Sequence, residues 1–432
     1  MQFFRPTRHT PLQDWLDYIE RLHAQTIELG LERVLCVKHA LGIEQEVPLI
    51  TVGGTNGKGS VCAMLERILL CAGYRVGLFT SPHLLAYNER VRLDGRQATD
   101  EEVCESFAQV EEARGDVRLT YFEFGTLAAW QAFSTAGVDA VILEVGLGGR
   151  LDAVNAFDAD CAIVASIDLD HMDYLGGTRE AIGFEKAGIY RAGRPAIVGD
   201  TRPPRSLLDH ARAIGANLQE LGKDFGYAAE NGQWIYWGQR GRRGGLAFPA
   251  LRGAVQLANA STAIAGLEAL ADRLPVSMQD IRRGMIEVEL PGRFQVLPGR
   301  PTVVLDVAHN PQAAGVLADN LGSMAFHPET WAVFGMLADK DVAGVAECVK
   351  GRIDHWFAAS LPGPRGMSAD ELARILADCG IRAESHFDSP TDAFHAAREQ
   401  AGENDRIVAF GSFLTVADVL RTIDDERKRR TT

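Results

Sequence analysis

A run whose hydrophobic period changes half-way limits this chain more than any other: Leu49 to Tyr74, LITVGGTNGKGSVCAMLERILLCAGY. Leu49, Ile50, Thr51 and Val52 are apolar or β-branched, as a buried strand requires, whereas from Ser60 onward Val61, Met64, Leu65, Ile68 and Leu69 recur at helical spacing. Between them lies Gly53-Gly54-Thr55-Asn56-Gly57-Lys58-Gly59. A strand that enters a helix through such a turn aims several backbone N–H groups and the positive helix end at one point, where a phosphate chain fits. Lys58 adds a full charge, and Ser60 a hydroxyl able to reach a magnesium ion. The spacing is not that of the standard P-loop, because Val52 stands where its first glycine would be and Gly59 separates Lys58 from Ser60. The alternative is a glycine-rich turn that binds nothing; glycines, lysine and hydroxyl together at one strand-to-helix turn favour phosphate.

Further strands feed the same edge. Val76–Phe79 ends in Thr80-Ser81-Pro82-His83-Leu84, and open α/β sheets deliver ligand-binding residues at the carboxyl ends of their strands. Ser81 is therefore either a metal or phosphate ligand or a cap for the turn around Pro82. Ala140–Val145 carries one carboxylate, Glu144, which is costly in a buried strand unless it is paired or metal-bound, and Gly146-Leu147-Gly148-Gly149-Arg150-Leu151-Asp152 follows. A salt-bridged structural acid is the other reading of Glu144. Cys161–Ile167 ends in Asp168-Leu169-Asp170-His171-Met172-Asp173, a position from which His171 can bind a metal. Lys186, in Phe184-Glu185-Lys186-Ala187-Gly188-Ile189, is a surface lysine by default or a fourth group facing the same phosphates.

Helices are expected from Thr10 (as N-cap) toward Leu29-Gly30, over Leu31–Leu41, Thr99–Glu112, Glu123–Ala136, Asn259–Leu270 and Met278–Val288. Trp234, Tyr236 and Trp237 followed by Arg240-Gly241-Arg242-Arg243 read as an aromatic hairpin with a solvated basic tip. Leu290-Pro291-Gly292-Arg293-Phe294 marks a domain boundary, giving domains 1–293 and 294–432. Beyond it Thr302–Val307, Trp331–Leu337, His355–Ala359 and Arg406–Phe410 alternate with helices, Pro311 opening one of them. The fold class is α/β, with mostly parallel, doubly wound sheets in two domains joined by a hinge that could close over a nucleotide.

The chain has 432 residues, 46% hydrophobic, enough for two or three cored domains. Its net charge of −14 argues against a nucleic-acid partner. Seven scattered cysteines without CxxC pairs, no signal-like N-terminus and no run near the ~20 apolar residues of a membrane span point to a cytoplasmic protein with no membrane association.

Taken in order, GTNGKGS (54–60), TSPHL (80–84), EVGLGGRLDAVN (144–155), DHMDYLG (170–176), EKAGI (185–189), LPGRFQ (290–295) and LDVAHNP (305–311) resemble the Mur ligase superfamily. Within it the likeness is to the folylpolyglutamate synthase and dihydrofolate synthase family, the bifunctional bacterial type above all; Arg33 in LGLERV, TYFEFGT (120–126) and GMLADKD (335–341) fit as well. It covers nearly the whole chain. The resemblance implies a P-loop-type ATPase domain followed by a smaller Rossmann-like glutamate ligase domain. The implied activity is an ATP-dependent, ADP-forming ligase that phosphorylates a pteroate or folate carboxylate and lets glutamate displace the phosphate. It implies that Thr55, Asn56, Gly57, Lys58, Gly59 and Ser60 hold the ATP phosphates, with Asn259, Arg293, Asp306 and His309 completing the nucleotide site. Ser81, Glu144 and His171, assisted by Ser60, would bind one or two magnesium ions, and Lys186 would be carried as a carbamate (N6-carboxylysine). Glu28, Leu29, Gly30, Leu31, Thr120, Tyr121, Phe122, Glu123, Leu151, Asp152 and Ala153 would contact the pterin, Asp152 pairing with its N–H groups. The implied partners are dihydropteroate, tetrahydrofolate, L-glutamate and ATP, bound by a monomer. Two departures stand out: Gly53 before Gly54, and Phe184 where relatives often place a polar residue.

Three other readings compete. A UDP-sugar amino acid ligase of the same superfamily would normally carry an additional UDP-binding domain, and only Met1–Val52 precede the loop. A folylpolyglutamate synthase without the dihydrofolate synthase activity differs in pterin contacts that sequence resolves poorly. An ATP-hydrolysing switch would have no need of the TYFEFGT and GGRLDA segments as a second pocket.

Overall fold

The computed structural model describes residues 5–25, 27–230, 232–253 and 255–431. It divides into two compact units, one reaching to Ala250 and resuming at Leu257–Val288, the other formed by Leu251–Gln256 and the residues from Glu289 onward. The main division thus falls at Val288/Glu289 rather than at 293/294, and a short earlier segment joins the second unit.

The first unit is built on strands β1 (Leu49–Gly53), β2 (Val76–Phe79), β3 (Val91–Leu93), β4 (Arg96–Gln97), β5 (Ala140–Glu144), β6 (Cys161–Val164), β7 (Pro195–Val198) and β8 (Asn217–Glu220). Their order in one sheet is β4-β3-β2-β5-β1-β6-β7-β8. β3 pairs antiparallel to β2 and β4, and every other pairing is parallel. β1 and β5 are buried along their whole length, which is why both read as mainly apolar runs, Glu144 at the end of β5 being the one charge. Register brings Val52 opposite Glu144, Gly53 opposite Val164 and Phe79 opposite Leu143. The carboxyl ends of β1, β2, β5 and β6 therefore align, and their following loops share one edge of the sheet.

Several expected boundaries move. The first helix is Leu12–Glu20, shorter than its pattern suggested, and Thr10 does not cap it: its hydroxyl accepts the Thr7 amide at 2.9 Å and closes a turn instead. The phosphate-loop helix is Lys58–Cys71, beginning before Ser60 because Gly57 takes a left-handed conformation (φ +87°) as its N-cap. The next two are Asp100–Arg114 and Tyr121–Ala136, with Thr99 and Thr120 as N-caps in capping boxes. The aromatic segment is a three-stranded antiparallel sheet, β9 (Gly226–Glu230), β10 (Gln233–Gly238) and β11 (Gly241–Leu246), ordered β11-β10-β9. Its basic tip is only partly solvated, since Arg243 folds in to pair with Glu268 at 2.7 Å.

The second unit orders β12 (Gln295–Leu297), β13 (Thr302–Leu305), β14 (Thr330–Phe334), β15 (His355–Ala359), β16 (Ala383–Phe387) and β17 (Arg406–Phe410) as β12-β13-β17-β14-β15-β16. Only β12 runs antiparallel to its neighbour. Pro311 does open a helix, Pro311–Ser323, whose first turn is capped by Asn310 Oδ1 accepting the Ala313 amide at 2.9 Å. All seven cysteines are free thiols, and among the described residues no helix is long and apolar enough to cross a membrane.

Candidate active site

The loop after β1 is held open by its glycines. Gly54 (φ +141°) and Gly57 lie where side chains are rarely tolerated, and a Cβ at Gly57 would stand 2.7 Å from Asn259 Oδ1, on the helix Val255–Ala269. The segment after β6 anchors the loop. Thr55 N donates to Ser166 O (2.6 Å), Thr55 Oγ1 donates to Asp168 O and accepts from Asp168 N (both 3.0 Å), and Ser166 Oγ donates to Asn56 O (3.0 Å). Lys58 Nζ turns back onto the loop, donating to Gly54 O at 3.1 Å and Thr55 O at 3.2 Å.

A second ammonium reaches the same carbonyl: Lys186 Nζ donates to Gly54 O at 2.9 Å. Lys186 is 4% exposed, so it is not the surface lysine its residue type would suggest. Tight packing at glycines puts it there. A Cβ on Gly149 would lie 2.9 Å from Glu185 O and 3.1 Å from Lys186 Cα, so the loop after β5 lies directly on this helix. Burial, with Lys58 nearby adding to it, pulls the Lys186 amine down to about 7 against the opposing charges of Asp170 and Asp152.

Glu144, at the end of β5, accepts the Ser81 amide at 3.2 Å, so two of the expected cation ligands meet beside the loop. His171 sits in a left-handed conformation (φ +51°) at the head of the short helix Met172–Leu175, one-third exposed, with Nε2 3.9 Å from Asp170 Oδ2. Among the described residues no three His, Cys, Asp or Glu side chains gather tightly enough to cage a metal alone. That donor set suits magnesium, which takes one or two carboxylates and completes its shell with hydroxyls, water and substrate phosphates.

The expected pterin segments also converge. Gly30 N donates to Leu151 O at 3.3 Å, and Arg33 reaches Glu123 in the first turn of Tyr121–Ala136. Asp152 is buried and accepts from Leu147 N (2.8 Å) and Val154 N (3.1 Å); burial pushes its carboxyl up to about 6 despite those donors and Lys186. Phe122 lies against Gly146, where a Cβ would meet its ring at 2.6 Å. Sequence reasoning missed Arg90, whose Nε is 2.9 Å from His83 Nδ1 and whose guanidinium lies over the rings of Tyr87 and Tyr121. Tyr87 is close in sequence, but His83 and Tyr121 meet Arg90 only through the fold, and a lone arginine beside a tyrosine leaves no distinctive local pattern.

In the second unit, Asp306 accepts the amides of Phe294 and Ala308 (both 2.8 Å), and burial raises its carboxyl while the nearby Arg293 opposes. Arg293 lies 4.9 Å over the Phe413 ring, with His309 6.2 Å from the same ring and its Nδ1 2.9 Å from Val307 O. Arg293, Asp306 and His309 therefore form one cluster.

Comparison with known proteins identifies the family. Residues 52–224 match the Mur ligase middle domain and residues 292–413 the Mur ligase glutamate ligase domain. The dihydrofolate synthase/folylpolyglutamate synthase of Escherichia coli (strain K12) is 46% identical over 423 residues, 98% of each chain. The chain belongs to the dihydrofolate synthase/folylpolyglutamate synthase family of Mur ligases. The Haemophilus influenzae family member is 42% identical, over 96% of this chain and 98% of its own. Escherichia coli FolC in complex with DHPP and ADP superposes with a TM-score of 0.94 at 46% identity, covering 98% of this chain and 100% of that one. A family structure with Mn, AMPPNP and L-glutamate bound gives 0.90 at 46% identity, over 97% and 99%. The members of this family are ligases, and this chain shares the α/β architecture of the two Mur ligase domains with those solved structures.

Proposed function

We propose that this enzyme adds L-glutamate to dihydropteroate, making dihydrofolate, and to tetrahydrofolate, making folylpolyglutamate, with ATP converted to ADP through an acyl phosphate. The observation that carries the reading is the Gly54 carbonyl shared by Lys58 and Lys186, beside a glycine loop whose neighbouring strand ends bear Ser81 and Glu144. A carboxylate does not acylate an amine at useful rates because oxide is a poor leaving group; phosphorylation supplies a good one. Thr55 to Ser60 present loop and helix N–H groups to the phosphates, and Lys58 neutralises charge on the group being transferred. Ser60, Ser81, Glu144 and His171 would hold a divalent cation, magnesium in one or two copies, which supplies Lewis-acid stabilisation of the phosphates. Asn259, with Arg293, Asp306 and His309, is assigned to the nucleotide. The strips Glu28–Leu31, Thr120–Glu123 and Leu151–Ala153 are assigned to the pterin, Asp152 accepting from its N–H groups.

Lys186 is assigned as a carbamate. Its amine, held near 7, is about half in the neutral form at neutral pH, the form that attacks carbon dioxide: the C–N bond forms, one proton leaves and a carboxylate remains. The carbamate keeps one N–H for Gly54 O. Isotope-labelled bicarbonate should give a carbamate carbon signal in the wild type that Lys186→Met lacks; identical spectra would refute the modification. The protein is taken to act as a cytoplasmic monomer.

The deciding experiment is ADP release with ATP and magnesium, supplying glutamate with dihydropteroate or tetrahydrofolate in separate reactions. ADP formation that needs both pterin and glutamate, with either pterin accepted, is expected. Activity with tetrahydrofolate alone would reduce the enzyme to a polyglutamate synthase, and equal ADP release without a pterin would overturn the reading.

A further inference from the structure

Arg33 stands at the start of the helix Glu32–Ala40, with its side chain 21% exposed. Its guanidinium spans two carboxylates and a carbonyl. Nε lies 3.2 Å from both oxygens of Glu123; Nη2 donates to Glu123 Oε1 and to Glu28 O, both at 2.9 Å; Nη1 donates to Glu28 Oε1 at 2.5 Å. The other oxygen of Glu28 is 3.2 Å from His23 Nε2, and Glu123 Oε2 accepts the Thr120 amide at 2.8 Å. Residues 27–30 form neither helix nor strand, and Gly30 is tied to Leu151 O by its amide.

We infer that Arg33 is a positioning residue that fixes the 28–31 strip against the N-terminus of the helix Tyr121–Ala136 and thereby sets the shape of the pterin pocket. This rests on the pterin assignment made above. It also redistributes the roles inside that pocket. The carboxylates of Glu28 and Glu123 are engaged by the Arg33 guanidinium, His23 and the Thr120 amide, so they form the frame, while Asp152, held by the backbone amides of Leu147 and Val154 and, among the described residues, by no arginine, keeps the pterin role assigned above. Only a planar fork can serve Glu123 on one side and both the side chain and carbonyl of Glu28 on the other; a lysine, a single point charge, cannot.

The test uses the full chain with Arg33→Lys and Arg33→Met. Dihydropteroate affinity is titrated calorimetrically, KM is measured for pterin, ATP and glutamate, and hydrogen exchange is followed on the peptide covering residues 22–31. Expected are faster exchange in that peptide and a pterin Kd and KM raised roughly tenfold to hundredfold, the scale of losing one hydrogen bond to a charged group. The KM for ATP and kcat at saturating pterin should stay within about twofold, as for a loss of ground-state binding. If Arg33→Met fails to fold, Arg33→Lys, which retains a cation beside Glu123, decides alone. A folded Arg33→Lys with wild-type pterin affinity, or with kcat lost and pterin KM unchanged, overturns the proposal. A wild type that binds no dihydropteroate overturns the pterin assignment and this proposal with it.

Discussion

Lys186→Met should make the stability of the first unit less dependent on pH. In the folded protein the amine titrates near 7, whereas an unfolded lysine titrates near its ordinary 10.5. Below pH 7 both states hold the proton, and the folded state carries the full cost of a buried cation. As pH rises through 7 the folded state releases that proton while the unfolded chain keeps it, so stability rises. Linkage between these two values gives roughly 2 kcal/mol of added stability between about pH 6 and 8.5 from this one group, within a full penalty of roughly 5 kcal/mol. The assay is urea unfolding at both pH values in bicarbonate-free buffer, read by pulsed hydrogen exchange on peptides from β1 and the helix Arg179–Ala187. This readout keeps the second unit's transition separate. The difference between Lys186→Met and wild type should shrink by about 2 kcal/mol from the lower to the higher pH. Parallel pH profiles would show that Lys186 is not held as a desolvated cation and would refute the electrostatic argument.

Lys58→Ala should leave the circular dichroism spectrum unchanged and lower kcat by about a thousandfold, the scale of losing one preorganised charge on a transition state; near-normal turnover would remove Lys58 from the phosphate site. Gly57→Ala should cost about 1–2 kcal/mol of stability from its positive φ, and its Cβ should displace Asn259 and raise the KM for ATP, so an unchanged KM would contradict the loop geometry. Because burial pushes the Asp152 carboxyl up to about 6, its charge is present above that value and lost below it. Pterin affinity should therefore weaken as pH falls from 7 to 5, a dependence that Asp152→Asn abolishes; the same pH profile in both proteins would exclude Asp152 as the titrating group.

The strands that were legible in advance are those buried on both faces. β1, β5 and β15 are mostly apolar runs, with Glu144 ending β5 and His355 opening β15, because parallel strands are covered on both faces. β12 and β16 carried no such signal. β12 is a short antiparallel edge strand, and β16, Ala-Glu-Ser-His-Phe, is never fully buried. Thr10 had the look of a helix cap, but Thr7, three residues away, offered its hydroxyl a competing amide.

The β1 loop and the helix that follows were legible in the residues themselves, because glycines at positive φ between a strand pattern and a helix pattern mark the turn locally, although its anchoring to Ser166 and Asp168 comes from the distant β6 segment. Sequence by itself also placed Ser81 and Glu144 at strand ends, since alternation of strand and helix implies a parallel sheet and a parallel sheet aligns its carboxyl edges; His171 does not end its strand, because β6 stops at Val164 and His171 stands at the head of the helix Met172–Leu175. Tertiary structure alone decided what charge these groups carry and what they touch. Lys186 has its amine pulled down to about 7 only where Gly149 lets the neighbouring loop close over it, and Glu28 and Glu123 become frame rather than contacts only where Arg33 stands between them. Burial and ion pairing depend on groups brought together from distant parts of the chain, and desolvation is a property of the space between them, which no local pattern records.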